Sequence, residues 1–312
     1  MNFGTNEFTL LSDEQTFGSH KIDVIERLGG KCTVSDFAML LGVNVCDYRF
    51  IEDDRSLKGR TTWWWTKSSN GDGNVYCVNT DGSCTWSKGG HRCGAVRPAL
   101  PFSSISDISP NGVRGKGGIL EVEYGEYPQY AVDANLGRTL DREFASGRLK
   151  KTGKTYTTDS RLLNANSESF KAKKYHEYEY NGKKYIRFVA RENNDVLNIK
   201  KGIPYWVEVK PIKWLVDEKE NIAVSKYAIF SGIQFDIVED YKCDFENTNI
   251  HKFMNEIFAK DIIPSVINKT TEISTNDQIE LRIQSLKKLS QEYGKATTEQ
   301  RNLLAEDEKL EK

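Results

Sequence analysis

A two-residue turn, Asn181-Gly182, narrows the folds open to this chain more than any other feature. It lies between two runs that alternate large apolar with polar residues, 177–180 and 183–189. Asn-Gly favours the left-handed backbone of a type I′ turn, whose twist matches that of two paired strands, so an antiparallel hairpin is expected here. A second turn of the same kind, Asp81-Gly82, separates 75–80 from 83–86. If those two residues alone make the loop, Asn79 faces Cys84 and Cys77 faces Trp86, which leaves the two cysteines diagonal and too far apart for an easy disulfide. Residues 119–124 read as a further strand. The stretches 205–209 and 212–216 alternate as strands with one wet face do, and 222–224 should pair with them across the polar turn 217–221. Pro211 marks an edge or a bulge there.

Helical spacing appears between these strands. Ser12 followed by Gln15 forms a capping box opening a short helix. Ser35 caps another, in which Phe37, Ala38, Leu40 and Leu41 share a face before Gly42. Leu136, Leu140 and Phe144 recur every fourth residue up to Gly147. From Thr248, the residues Ile250, Phe253, Met254, Ile257 and Phe258 keep the spacing of a buried stripe that Pro264 ends. Strands and helices in these proportions predict an α+β chain. Its expected divisions are 1–102, a Ser, Gly and Pro-rich linker at 103–118, a strand-rich region at 119–270, and a helical tail at 271–312. In the tail Ile279, Ile283, Leu286 and Tyr293 fit a heptad seam, and two alternatives stand: a helix folded back on its own domain, or a coiled coil making a homo-oligomer through 274–312.

Composition removes several function classes. The chain has 44 Lys and Arg against 45 Asp and Glu, a net charge of −1, and so no general pull toward polyanions; nucleic acid is not an expected partner. No apolar stretch approaches the roughly 18 residues of a membrane span, and residues 1–11 lack the pattern of a signal peptide, which predicts a cytoplasmic or virion-associated protein with no membrane partner. The six cysteines lack the spacing of a disulfide framework and are expected as thiols.

Catalytic and ligand-holding patterns are weak. Cys77, Cys84, His91 and Cys93 are spaced C-x6-C-x6-H-x-C, without the close Cys pairs that zinc sites use, so neither metal nor cofactor is expected. The run from Gly147 to Thr155, G-R-L-K-K-T-G-K-T, has five residues where a phosphate-binding loop has four, and follows a helix instead of a strand; a basic, solvated turn is expected. Residues 112–118 read as a flexible connector. His20, His91, His176 and His251 are scattered, and Glu177, Glu179 and Glu208 alternate as on a solvated sheet face. No enzyme follows from these. Arg97, within Gly94-Ala95-Val96-Arg97-Pro98-Ala99-Leu100, is expected inside the core, holding loop carbonyls or a carboxylate through its planar fork. In Trp63-Trp64-Trp65 alternate rings should face opposite sides of a strand, with either Trp64 in the core and Trp63 and Trp65 outside, or the reverse.

Three stretches carry a resemblance: Gly59-Arg60-Thr61-Thr62-Trp63-Trp64-Trp65-Thr66-Lys67-Ser68, the Val75-Tyr76-Cys77-Val78-Asn79-Thr80-Asp81-Gly82-Ser83 hairpin, and the segment around Arg97. Together they resemble the closing half of a bacterial domain family of unknown function, found in gut Firmicutes and related in fold to C-type lectins and formylglycine-generating enzymes. The segment Val122-Glu123-Tyr124-Gly125-Glu126-Tyr127-Pro128-Gln129, then Pro211-Ile212-Lys213-Trp214, then Phe253-Met254, is similar to the family's opening half. The two halves stand here in reversed order, through a circular permutation, a cut from a tandem array, or half-domains that complete one another between chains. The resemblance implies a C-type-lectin-like mixed sheet with short flanking helices, to which the heptad spacing of the tail adds a long C-terminal helix; Trp64, Arg97 and Trp214 are expected to be structural. It also implies a non-catalytic, hypervariable ligand face, carried by a phage or mobile element and binding protein or glycan. That face would comprise Trp63, Trp65, Lys67, Ser68, Ser69, Asn70, Asp72, Asn74, Tyr76, Asn79, Trp86, Lys88, His91 and Arg92. The rival expectations are a metal-dependent enzyme of the formylglycine-generating type and an oligomeric structural or phage assembly protein.

Overall fold

The computed structural model describes residues 7–46, 61–70, 73–91, 94–102, 113–114, 119–158, 174–195, 198–236 and 244–263, all within one compact unit, Met1–Ser265. The expected helical tail, its coiled-coil seam, Pro264 and most of the 103–118 linker lie outside them.

In chain order the elements are helices α1 (Asp13–Thr16), α2 (Asp23–Leu28) and α3 (Asp36–Leu40), then strands β1 (Val45–Cys46), β2 (Thr61–Thr62), β3 (Trp64–Ser69), β4 (Asn74–Val78), β5 (Cys84–Lys88), β6 (Ala99–Pro101), β7 (Val113–Arg114) and β8 (Leu120–Ala131). There follow helix α4 (Ala134–Ala145), strands β9 (Lys150–Thr157), β10 (Lys174–Tyr180), β11 (Lys183–Val189), β12 (Pro204–Asp217) and β13 (Ile222–Ser225), and helix α5 (Asn249–Lys252). Helix α5 runs on through a π-helical segment, Phe253–Phe258, into α6 (Ala259–Asp261). The chain is α+β, with antiparallel sheets.

The long strand β12 organises the main, 8-stranded sheet. One of its edges pairs with β8; the other is shared end to end by β11, from Pro204 to Val209, and β13, from Trp214 to Asp217. The two strands expected at 205–216 are therefore one, and Pro211 sits at a register shift inside it. A proline is tolerated there because the edge between β11 and β13 has no strand partner among the described residues. Gln129, bulged out of β8, donates through Nε2 to the carbonyls of Lys210 and Pro211, at 2.8 and 2.9 Å. A second shift in the β8–β12 register frees Gly125, where an added Cβ would lie 2.9 Å from the Ile262 side chain; the end of the helix from α5 to α6 docks here, Glu126 N–H bonding Ile262 O at 2.7 Å.

Regions before and after residue 118 share one apolar interior. Phe8 stacks on Trp214 and meets Phe258 edge-on, with centroids at 5.9 and 5.3 Å. Asn255 holds the Phe8 backbone at both N–H and C=O. Strand β6 joins the main sheet beside β13, and bridges link Val34 to Ala228 and Val96 to Phe230. On the sheet's other face α4, capped by Asp133, covers a smaller cluster of Leu140, Tyr178, Tyr185 and Trp206. Among the described residues no helix is long and apolar enough to cross a membrane.

Both N-terminal caps form as the sequence indicates, the Ser12–Gln15 box reciprocally and Ser35 through its hydroxyl. The Asn181-Gly182 turn sets Tyr180 directly opposite Lys183, with Asn181 and Gly182 both at positive φ. Two expectations change, and one helix had none. Lys150–Thr157 is strand β9, not a solvated turn, because Tyr156 must reach the core and only an extended segment beside β10 takes it there. Within the expected linker, Val113 and Arg114 pair with Glu121 and Leu120. Helix α2 lacked a sequence signal: its N-cap, Ile22, offers no side-chain acceptor, and burial of Val24 and Ile25 supports it instead.

Candidate functional site

Strands β3, β4 and β5 form a separate three-stranded sheet. Its hairpin tip differs by one residue from the two-residue loop expected. Gly82 N–H bonds Asn79 O at 2.9 Å and Asn79 N–H bonds Ser83 O at 2.8 Å, so Thr80, Asp81 and Gly82 all belong to the loop. This is a type I turn followed by a left-handed residue, with Gly82 at φ +88°. The Asp81 carboxylate, held below its usual range mainly by the Ser83 hydroxyl and N–H, ties the loop at 2.6 and 2.9 Å. The tip rests backbone to backbone on the turn after α2. A Cβ on Gly82 would stand 1.8 Å from the Gly29 carbonyl.

The extra loop residue re-aims every side chain of β5. Tyr76 lies opposite Trp86, Asn74 opposite Lys88, Val78 opposite Cys84 and Cys77 opposite Thr85. Cys77 and Cys84 thus point to opposite faces rather than lying diagonal on one. Cys77 is buried, which pushes its thiol well up; Cys84 is exposed, and both are free. His91 lies outside the ladder, its Nδ1 2.6 Å from Ser87 Oγ, the donor depending on the ring tautomer. Cys93 lies outside the described residues, among which no group of His, Cys, Asp and Glu could hold a metal ion.

The wet face carries Trp86, 58% exposed, with exposed Lys88 and half-buried Tyr76 and Asn74 beside it. Of the six tryptophans Trp86 is the exposed one. Lys67, Ser68, Ser69, Asn70 and Asn79 are half-buried, and Ser69, paired with Val75, lies on the other face of the sheet. Lys67 N–H bonds Leu11 O, and Ser68 Oγ accepts from Asp13 N–H, so the chain before α1 and its first residue cover the outer edge of β3. Asp72 and Arg92, expected on the face, lie outside the described residues.

The tryptophan run needs a correction. The sides alternate as expected: Trp63 and Trp65 meet edge-on at 4.8 Å, and Trp64 turns the other way beneath the Arg97 guanidinium, 5.2 Å from its centroid. Neither side is solvent. Trp65 is fully buried against Phe235, and Trp63 is half-buried over Gly94. Trp65 therefore cannot belong to a ligand face; β3 is an edge strand of its sheet, but chain from later in the sequence covers both of its faces. Arg97 is fully buried and donates from Nε to Ser225 O at 2.9 Å, while Nη1 and Nη2 find no partner among the described residues. Among those residues it holds a carbonyl and no carboxylate, and burial lowers its pKa. Trp214 Nε1 donates to Tyr124 O at 3.0 Å.

A polar cluster that alternation misread lies under β9 and β10. Glu177, expected in solvent, is fully buried. It accepts from Tyr156 OH at 2.6 Å and Thr152 Oγ1 at 2.8 Å. Burial first, and then the Glu177 charge, push the Tyr156 phenol far up. Nearby, burial raises Asp261 to about 6 against the opposing Thr157 N–H bond at 2.9 Å and the charges of Lys154 and Lys174. Lys154 donates to Ile263 O, and Lys184 pairs with Glu126 at 2.6 Å. The Asp261 and Ile263 bonds clamp the helix end onto β9, and the others tie strand to strand. A sequence signal existed, Tyr156 and Glu177 on neighbouring strands, but β9 had to be read as a strand first.

Residues 13–104 match the family model described as Domain of unknown function (DUF6273). The matched stretch runs from α1 through the three-stranded sheet to just beyond β6, so it contains the Tyr76–Trp86 face, the glycine contact under the hairpin tip and Arg97. No curated protein and no solved structure matches the chain.

Proposed function

We propose that this chain is a non-catalytic recognition protein that presents the wet face of β4 and β5 to a protein or glycan ligand. We read the scaffold as a C-type-lectin-like domain whose halves, 1–102 and 119–270, stand in reversed order; the single interior built from both supports their completing one another within one chain. One observation carries the functional reading: Trp86, 58% exposed, directly opposite Tyr76 in a ladder whose other face is packed. Burying an indole normally stabilises a fold, so leaving one in water is a feature to explain, and rigid aromatic rings beside Asn and Lys donors suit ligand contact. The reading is narrower than the sequence alone suggested, since Trp65 is buried and Trp63 lies with it on the side of the sheet away from Tyr76 and Trp86.

The test presents the intact protein to a glycan array and to a displayed-peptide library, beside Trp86→Ala and Tyr76→Ala. A ligand whose signal falls at least tenfold in Trp86→Ala supports the reading. Ligands indifferent to both substitutions, or none in either panel, overturn it.

A further inference from the structure

Four edge strands of the two larger sheets, β3, β5, β6 and β9, are treated differently. The outer edge of β3 takes the chain at Leu11 and Asp13, and β6 takes Thr9, which bridges Ala99. Strand β9 carries Lys150, Lys151 and Lys154 and a kink at Gly153, φ +92°, and Lys154 N–H turns aside to Thr152 Oγ1. Lysines and local kinks are how proteins blunt an edge against further pairing. Strand β5 has one lysine and no kink, and among the described residues its only strand partner is β4.

Its backbone is set for pairing. Asn79 and Ser83 are hydrogen-bonded at the loop end, so bonding toward β4 alternates through Thr85 and Ser87. The N–H groups of Cys84, Trp86 and Lys88, and the carbonyls of Cys84 and Trp86, therefore face outward; the Lys88 carbonyl is taken by His91 N–H at 3.0 Å. The side chains of these three residues are the exposed ones of the strand.

We propose that an extended peptide segment of a partner protein adds to β5 as a fourth strand, with an aromatic or β-branched residue beside Trp86 and an acidic residue beside Lys88. This rests on the recognition reading above and names its ligand class. A row of outward donors and acceptors repeating about every 6.8 Å is matched by an extended polypeptide and not by a sugar ring. Cross-strand aromatic pairs and opposite charges stabilise such a pairing, and Cys84–Lys88 contains no carboxylate to repel an acidic residue. A second copy of the chain is disfavoured, because one five-residue edge falls far short of the roughly 1,200 Å² that stable dimers bury.

The probes are peptides selected from a displayed 12-residue library on the intact protein, measured against Cys84→Pro, Cys84→Ser and Trp86→Ala. Proline at Cys84 removes one outward N–H and leaves the ladder to β4 and the Trp86 ring in place. Strand addition requires at least tenfold weaker binding in Cys84→Pro and Trp86→Ala, unchanged binding in Cys84→Ser, and slowed amide exchange at Trp86 in the complex. N-methylating the peptide at alternate residues should abolish binding in one phase only, a readout that needs no variant to fold. Peptides that depend on Trp86 but ignore both Cys84→Pro and N-methylation overturn strand addition and leave the recognition face standing. Glycan signals dependent on Trp86, with no peptide selected, do the same. A dimer that Cys84→Pro dissociates overturns the proposal in favour of self-pairing. Silence in both the peptide and the glycan panels removes this inference and the recognition reading together.

Discussion

Two hairpins with nearly the same turn signature behave differently. Asn181-Gly182 closes a two-residue loop, and the residues of β10 and β11 face one another as the turn dictates. Asp81-Gly82 sits in a three-residue loop, and β5 is shifted by one residue from the pairing its turn implied. The Asn181-Gly182 turn projects freely, with no atom within 4 Å of a Cβ on Gly182; the Asp81-Gly82 turn is pressed on the Gly29 and Gly30 backbone. A turn dipeptide sets register where its loop stands alone, whereas a loop in tertiary contact takes the geometry that the contact selects. The outcomes on their outer faces also differ. Tyr178 and Tyr185 lie under α4 with Trp206, while Tyr76 and Trp86 are left facing water.

The sharpest contrast is between the tryptophans of these two faces. Trp206, 3% exposed and bonded from Nε1 to Asp141 at 3.0 Å, should cost about 3–5 kcal/mol when changed to Ala, read as a fall in the denaturation midpoint with unchanged slope. A loss below about 1 kcal/mol would mean that α4 does not cover the sheet as described.

The turn glycines come next. Gly182→Ala meets open space and only the left-handed backbone strain of about 1 kcal/mol. Gly82→Ala adds a collision with the Gly29 backbone and should lose roughly 2–3 kcal/mol or more. Equal losses in thermal melts would show that both loops stand free.

A smaller effect separates the hairpins by pH. Asp261, beside β9, has a folded pKa raised to about 6 from an ordinary 3.8. The folded state therefore holds this proton more tightly than the unfolded chain does, and the contribution to stability is complete below about 4 and lost as pH rises through about 6. Asp261→Asn should flatten that slope and raise stability at pH 7 by about 1–2 kcal/mol, the carboxyl's remaining contact with water reducing the full value. Urea titrations at pH 4.5 and 7 measure it; an unchanged pH profile would show that Asp261 is well solvated. The smallest effect belongs to Trp86→Ala, which should shift stability by no more than about 0.5 kcal/mol. A larger loss would identify Trp86 as a structural residue and weaken its assignment to a ligand face.

Much of the secondary structure was legible because its signals are local. Ser12 and Ser35 cap helices through hydroxyls a few residues from the N–H groups they bind, and the stripe from Ile250 to Phe258 needs only helical spacing. Less was legible at the candidate site. Alternation along β3 correctly separated Trp64 from Trp63 and Trp65, yet it could not say that Phe235, 170 residues further on, would cover the second side. It put Glu177 in water for the same reason: period two states which residues share a face, and burial of that face depends on what packs there. Tyr156 and Thr152 come to Glu177 from strand β9, more than 20 residues earlier in the chain.

The chain's own order of residues determined the caps, the strand and helix periods, the free type I′ turn and the α+β class, since each depends on neighbours within a turn or a hairpin. Tertiary structure alone decided which tryptophan meets solvent, which carboxylate is buried and how β5 is registered against β4. Those outcomes turn on contacts between distant segments, here Gly29 with Gly82, Phe235 with Trp65 and Tyr156 with Glu177, whose steric and desolvation energies exceed any local preference.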